Sequence, residues 1–296
     1  MTASDALVPF VLEGAAVRGA CVRMDDTARN ALAAHDYPRP LARVLAELMA
    51  AATLLAASLK FRGSLVVQLA GPGPVRLAVV ECDHALAVRA TAQWDAAALG
   101  RLPENATLAQ LAGESKDARL VISLDREDSP LYQGIVAIEA GSVASLVEHY
   151  LASSEQIESR LAIVAGDGGV AGMLVQRLPG ASDADRVAWA EAAKALAERA
   201  ESALASTGDP ASVLVATFAE RDLRVFTART PRFACRCSEA RVDQALRIAG
   251  RDEIEAAIRD DGRVEIVCEY CGRRYTYAPE RARALFAAPG PASNLH

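Results

Sequence analysis

Two short stretches decide how this chain reads: Phe233-Ala234-Cys235-Arg236-Cys237-Ser238 and Cys268-Glu269-Tyr270-Cys271-Gly272. They form a C-x-C and a C-x-x-C pair, with thirty residues (Ser238 to Val267) between them, and hold four of the chain's six cysteines. Two pairs of clustered thiols read first as one zinc site. Zn–S bonds are about 2.3 Å and tetrahedral, so ligand sulfurs must sit a little under about 4 Å apart. A tight turn over Cys268 to Cys271 brings both of its thiols to one point. Gly272 suits the left-handed backbone position that often follows such a turn. Cys235 and Cys237 lie at i and i+2, on the same side of an extended segment, and can converge on the same ion. Arg232, Arg236, Arg273 and Arg274 flank the pairs. They either screen the charge of four thiolates or are ordinary solvated side chains.

The C-x-C spacing is tighter than that of ordinary zinc ribbons. Two readings stay open on the residues alone. In one, the zinc is constitutive and only holds a small domain together. In the other, the centre is a redox switch, because zinc-bound thiols are deprotonated and oxidisable when an oxidant can reach them. A disulfide across C-x-C would close a very small ring, and strained disulfides are the labile, regulatory ones. Cys21 and Cys82 sit in the apolar stretches Gly19-Ala20-Cys21-Val22 and Val79-Val80-Glu81-Cys82 and read as buried core thiols.

Working outward, 296 residues predict one large domain or two to three smaller ones. A hydrophobic content of 52% against 24% charged residues excludes wholesale disorder. Aromatics are only 5%, so the core must be built from Ala, Val, Leu and Ile. The net charge of −6 argues against a nucleic-acid partner, which charge neutralisation would favour only for a basic protein. The cysteine region itself, residues 231–285, carries eleven Arg against ten Asp and Glu, so a zinc ribbon docked on nucleic acid is disfavoured. The most apolar stretch, Leu41 to Leu59, is broken by Arg43 and Glu47, so no membrane span is expected. Met1 to Phe10 carries Asp5 and no basic region, unlike a signal peptide. A soluble cytoplasmic protein is expected, with thiols kept reduced.

Along the chain, alternation over residues 1–30 reads as strands, and Pro40 opens a buried Ala/Leu-rich helix to about Leu59. Gly63 to Gln68 and Val75 to Val80 read as strands around the turn Gly71-Pro72-Gly73-Pro74. Two further pairs are Arg119 to Leu124 with Gly134 to Ile138, and Arg160 to Ala165 with Ala171 to Leu178. Ser142 or Ser145 starts a helix toward Tyr150. Gly166-Asp167-Gly168-Gly169-Val170-Ala171 matches a loose dinucleotide loop, but strand residues follow it instead of a helix, so it reads as a hairpin turn. Ser182 or Asp183 can cap a helix from about Asp185 to Ser206, with Trp189, Leu196 and Leu204 on one side. The rest is Ala, Glu, Arg and Lys, which gives helix propensity but little burial, so this helix should depend on its docking surface. Apolar segments at Val213 to Phe218 and Leu223 to Phe226 lead into the cysteine module. The module's candidate core is Leu246, Ile248, Ile254, Ile258, Val264, Ile266 and Tyr275.

Catalytic signatures are absent. His35, His84, His149 and His296 have no metal spacing, Glu148-His149 reads as a helix-surface pair, and neither a nucleophile elbow nor a Walker loop is present. A thiol–disulfide enzyme would want its C-x-x-C opening a helix in a βαβ unit. Here Val264 to Val267 precede it and Arg273 to Tyr277 follow, which reads as a hairpin knuckle. No enzyme is expected.

The chain resembles the heat shock protein 33 family, the redox-regulated bacterial chaperones also called 33 kDa chaperonins. The cysteine stretches carry the resemblance first. Tyr132-Gln133-Gly134-Ile135-Val136, Glu148-His149-Tyr150, Ser154-Glu155-Gln156-Ile157 and Gly172 to Gly180 extend it over nearly the whole chain. The resemblance implies an α+β fold in three parts: a mixed α/β core with antiparallel strand pairs and a client-binding surface (1–180), a helical linker (181–232) and a small C-terminal zinc-binding switch domain (233–296). It implies one Zn²⁺ on Cys235, Cys237, Cys268 and Cys271 in a reduced, inactive form. Oxidation would form Cys235–Cys237 and Cys268–Cys271, release the zinc and loosen the linker. The result would be an ATP-independent holdase that binds unfolding client proteins as a homodimer, with no nucleic-acid or membrane partner.

Overall fold

The computed structural model describes residues 5–59, 61–127, 129–139, 141–166, 169–180, 183–206 and 208–286. The proposed cap Ser182, the turn residues Asp167 and Gly168, and Lys60, Thr207 and His296 lie outside them. Contacts divide the chain into two units, Met1–Ala234 and Cys235–His296. The class is α+β, with antiparallel sheets and helices, as the sequence predicts.

In the first unit the elements run β1 (Ala6–Leu12), β2 (Val17–Met24), α1 (Asp26–Leu32), α2 (Arg39–Ser58), β3 (Gly63–Ala70), β4 (Val75–Asp83), β5 (Ala87–Trp94), α3 (Ala96–Leu99), α4 (Leu108–Ala112), β6 (Arg119–Arg126), β7 (Ser129–Ala137) and α5 (Val143–Ser153). There follow β8 (Ser159–Gly166), β9 (Gly169–Arg177), α6 (Asp183–Ala205), α7 (Pro210–Thr217), β10 (Leu223–Val225) and β11 (Arg232–Phe233). One sheet has five strands in the order β10-β1-β2-β9-β8, the other six in the order β11-β5-β4-β3-β6-β7. Pairing is antiparallel except where β11 runs parallel to β5. β8 and β9 pair as far as Gly166 and Gly169, so the glycine run joins a hairpin and opens no helix.

Helix α2 packs between the sheets, touching β2, β8 and β9 on one and β3, β4 and β5 on the other. That is why it is apolar nearly all round, with Leu41, Leu45, Leu48, Met49, Leu54 and Leu55 fully buried. By length and composition it could cross a membrane, but it is the buried core helix of this fold.

The outer face of the five-stranded sheet is apolar as well. Alternation along β1, β2 and β9 sends Leu7, Val22, Met24 and Leu174 toward α2, and Val8, Phe10, Leu12, Val17, Cys21, Met173 and Val175 the other way. Helix α6 covers that second face with Trp189, Ala192, Leu196, Ala200 and Leu204, joined by Val213, Leu214 and Phe218 of α7 and its cap. Trp189 also donates its indole N–H to Glu158 at 2.8 Å, and the Asp185 carboxylate accepts from the Ala16 amide at 3.2 Å.

Three local readings are corrected. Residues 26–32 form α1 instead of continuing the strands. The buried Asp5 carboxylate accepts from the amides of Asp25, Asp26 and Thr27 at 2.6, 3.0 and 2.6 Å, so the helix is capped from twenty residues away. Of the Glu148-His149 pair, His149 is exposed but Glu148 is half-buried: its carboxylate accepts the Leu161 amide at 2.6 Å and ties α5 to β8, and burial raises its pKa. Strand β5 follows β4 directly in the sheet, although its polar Arg89, Thr91 and Gln93 gave the sequence reading no strand there.

Gly19 shows how tightly the first unit is built. A Cβ there would lie 2.3 Å from the Leu174 carbonyl oxygen and 2.5 Å from the Phe10 ring. Gly19→Ala is therefore expected to destabilise this unit by about 1–3 kcal/mol through overpacking. Denaturant unfolding followed by the fluorescence of Trp94 and Trp189 reads this, and an unchanged midpoint would contradict it.

Candidate metal centre

The second unit contains α8 (Glu239–Ala249), α9 (Arg251–Asp261), β12 (Val264–Val267), β13 (Arg274–Tyr277) and α10 (Pro279–Ala284). Ser238 caps α8 by accepting from the Arg241 amide, which leaves Cys237 on the extended segment just before the helix. Helix α9 ends at Gly262 in the left-handed conformation, and the chain turns into the β12–β13 hairpin. The knuckle of that hairpin is Cys268 to Gly272. The amides of Cys271 and Gly272 donate to the Cys268 carbonyl at 3.3 and 2.8 Å, and Cys268 N–H donates to the Arg273 carbonyl at 2.9 Å. Gly272 takes a φ of 68°, as the spacing required.

The four sulfurs meet. Cys235 Sγ lies 3.6 Å from Cys268 Sγ, Cys237 Sγ lies 3.5 Å from Cys271 Sγ, and all four are within 4.8 Å of one another. A tetrahedral ion with bonds of about 2.3 Å needs sulfur separations a little under about 4 Å, and this quartet fits Zn²⁺ on that criterion with at most small adjustments. All four cysteines are half-buried, which leaves a path for small molecules. Among the described residues this quartet is the group of His, Cys, Asp and Glu side chains able to share one ion.

The thiols differ in acidity. Burial works against ionisation of Cys237, but the Tyr275 hydroxyl and the three surrounding thiols bring it down to about 7. Burial pushes Cys271 up to about 12 and raises Cys235. The flanking arginines have other partners: Arg232 donates to the Ala85 carbonyl in the first unit, Arg273 lies over the Tyr275 ring and Arg274 pairs with Glu265. Cys21 and Cys82 are buried in the first unit, as expected, and burial pushes Cys21 up to about 12.

Apart from the sulfurs, little holds this unit together. Its core is Val242, Leu246, Ile254, Val264, Tyr275, Tyr277, Ala282 and Leu285. Tyr277 donates its hydroxyl to Asp243 at 2.7 Å, and Arg283 forks onto Glu255 with two bonds of 2.8 Å. Ile248, counted as core from the sequence, is 79% exposed. The inward face of α8 is set by Val242 and Leu246, and Ile248 falls roughly 200° around the helix from Leu246. Val242, Tyr277, Ala282 and Leu285 were missed. The 3.6-residue spacing of Val242 and Leu246 was the available signal.

Fold and site together define a two-unit α+β protein whose C-terminal module is organised around four cysteines. A family model described as Hsp33 protein matches residues 5–278. The chain is 40% identical over 289 residues to the 33 kDa chaperonin of Chromobacterium violaceum, covering 97% of this chain and 95% of that protein. It is 36% identical to the 33 kDa chaperonin of Methylobacillus flagellatus, covering 97% and 96%. Among solved structures, the 33 kDa chaperonin (heat shock protein 33 homolog) of Thermotoga maritima superposes with a TM-score of 0.79 at 23% identity, over 95% of this chain and 98% of that one. The chain belongs to the Hsp33 protein family.

A module this small draws no more than about 3–5 kcal/mol from its core, whereas zinc binding to small finger peptides is worth about 10–16 kcal/mol. Chelating any bound metal from reduced protein is therefore expected to abolish amide protection across residues 240–280 while the region before Pro179 keeps its protection. Hydrogen exchange with mass spectrometry reads this directly. Protection in 240–280 that survives complete metal removal would contradict it.

Proposed function

We propose that this chain is a redox-regulated, ATP-independent chaperone of the cytoplasm, a holdase that captures unfolding proteins under oxidative stress. The observation that carries this reading is the convergence of four half-buried sulfurs in a module with a small core of its own. The chaperonin names of the curated relatives support the same class.

In the proposed resting state Cys235, Cys237, Cys268 and Cys271 hold one Zn²⁺. When bound, the ion keeps the four sulfurs as thiolates and supplies most of the folding energy of the module. Oxidation removes two electrons from each pair. With hydrogen peroxide as oxidant, each disulfide formed reduces one peroxide to two waters. The sulfurs of a disulfide no longer serve as thiolate ligands, so the module loses its main source of stability.

The bridges are proposed as Cys235–Cys237 and Cys268–Cys271, on the family resemblance. Sulfurs of different pairs also lie close together, Cys235 to Cys268 at 3.6 Å and Cys237 to Cys271 at 3.5 Å. Crossed bridges would staple the segment before α8 to the β12–β13 knuckle and preserve the module. Bridges within each pair leave the two halves free to separate, which is what a switch requires.

Residues 181–232 are proposed as the linker that responds. Helix α6 rests on the sheet through a narrow stripe with two alanines among five residues, so little apolar area holds it. Release of α6 together with α7 would uncover Val8, Phe10, Leu12, Met173 and Val175 as a contiguous apolar patch for clients. Activated chains are proposed to pair as homodimers.

Reduced protein is expected to carry one zinc per chain, and a Cys268→Ser, Cys271→Ser double variant to lose it. Peroxide-treated protein is expected to suppress light scattering of a heat-unfolding client strongly, and reduced protein weakly. Equal suppression by both forms would reduce the centre to a constitutive structural ribbon. Peptide mapping of the oxidised form is expected to find the bridges within each pair, and crossed bridges would refute that assignment.

A further inference from the structure

The stripe on α6 is too thin to hold the helix alone, so its ends matter. Strand β2 points Val17, Gly19, Cys21 and Arg23 at the face that α6 covers. Arg23 is the charged member of that row, and its side chain is only 11% exposed. Its Nη2 donates to the Leu204 carbonyl at 2.9 Å and also to the Ser206 carbonyl. Its Nη1 lies 3.7 Å from the Asp25 carboxylate.

The last carbonyls of a helix have no partner within it and carry the negative end of its dipole. The last turn of α6 contains no basic residue. The Ala203 carbonyl is satisfied locally by the Ser206 amide and hydroxyl. The Leu204 carbonyl is satisfied by Arg23, almost two hundred positions away in the chain. A C-terminal cap is thus supplied across space, from the strand that α6 covers.

We propose that Arg23 is the positioning residue that clamps α6 on the sheet and sets how readily the covered face is released. This rests on the reading of α6 as the element that moves. The clamp combines a charged donor, two carbonyl acceptors and the helix dipole, all of which act together only while α6 is docked. It is also incomplete. Arg23 Nε is buried with no hydrogen-bond partner among the described residues, so docking costs the guanidinium part of its hydration. A clamp of that kind holds the helix and can still let go.

Cys21 supplies the readout. It lies at 1% exposure in the apolar layer that α6 and α7 cover together, whereas Cys82 is buried in the core around α2. The experiment uses full-length, reduced, zinc-loaded protein: wild type, Arg23→Gln and Arg23→Lys. Maleimide labelling is followed peptide by peptide, with zinc content and client light scattering measured alongside. Arg23→Gln is expected to label Cys21 roughly tenfold faster than wild type, equivalent to about 1.4 kcal/mol of lost docking. It should keep its zinc and suppress client aggregation without oxidant. Arg23→Lys, which keeps the charge but not the fork, is expected to fall between. The missing cation cannot mimic this result, because Arg23 lowers the Cys21 pKa and its loss makes the thiol less reactive.

Wild-type labelling rates in both folded variants would overturn the proposal. Should Arg23→Gln misfold, which labelled Cys82 would reveal, Arg23→Lys alone decides on the same criterion. Peroxide-treated wild type is the parallel arm. Cys21 labelled there, with both variants unchanged, overturns the role of Arg23 and leaves the proposed function standing. Cys21 still protected there overturns the release of α6 and the clamp with it.

Discussion

The five-stranded sheet is apolar on both faces, and the rest of the architecture follows from covering both. Strands with one buried face alternate apolar and polar residues; β1 and β9 instead bury apolar residues on both faces, and β2 does so over Ala20 to Val22. One face is covered by α2, whose twenty residues are apolar nearly all round and locked between two sheets. The other is covered by α7 and by α6, twenty-three residues long, which offers a single stripe interrupted by alanines. The two covers differ in strength by construction. Removing α2 would destroy the core, whereas α6 can leave a sheet that still has its other face packed. On the proposed reading, a fold with one permanent and one conditional cover would expose apolar surface without unfolding.

The local parts of this arrangement were legible in the sequence, and the non-local parts were not. The β3–β4 and β8–β9 hairpins, the core helix and the cysteine knuckle follow from turn residues, periodicity and ligand spacing within a few residues of each other. The Asp5 cap on α1 and the Arg23 contact with α6 join residues far apart in the chain, and no single-sequence pattern marks them. Strand β5 was missed for a different reason. Its outward residues include Arg89, whose pairing with Glu81 on the neighbouring strand makes a polar position tolerable in a part-buried sheet face. In the cysteine module the sulfur geometry was readable, and so was half of its small core: Leu246, Ile254, Val264 and Tyr275. Val242 was marked only by its spacing to Leu246, and Tyr277, Ala282 and Leu285 are joined to that cluster by contacts with residues more than thirty positions earlier in the chain.

The chain between α7 and the first cysteine constrains how a chemical change in the module could reach α6. It is laid along the edges of both sheets by main-chain hydrogen bonds. The Phe226 amide donates to Pro9, Leu7 and Arg229 exchange a reciprocal pair, and the amides of Arg232 and Ala234 donate to Leu86 and Val88. Arg229 and Arg232 add side-chain bonds to the carbonyls of His84 and Ala85, and Thr27 donates its hydroxyl to Pro231. Coupling along the chain therefore has to pass through a strap of short pairings on sheet edges, where opening is easiest. Each pairing is a few residues long, so the strap can peel stepwise from Ala234 back toward Leu223. Peeling bares the edges of β5 and β1 before it tugs on α7, and α7 shares its buried Val213, Leu214 and Phe218 contacts with α6. In the proposed switch, loss of the module would act on α6 by removing the neighbours it packs with, while Arg23 would oppose release from the sheet side. The balance between those two is where the threshold of the proposed switch is set.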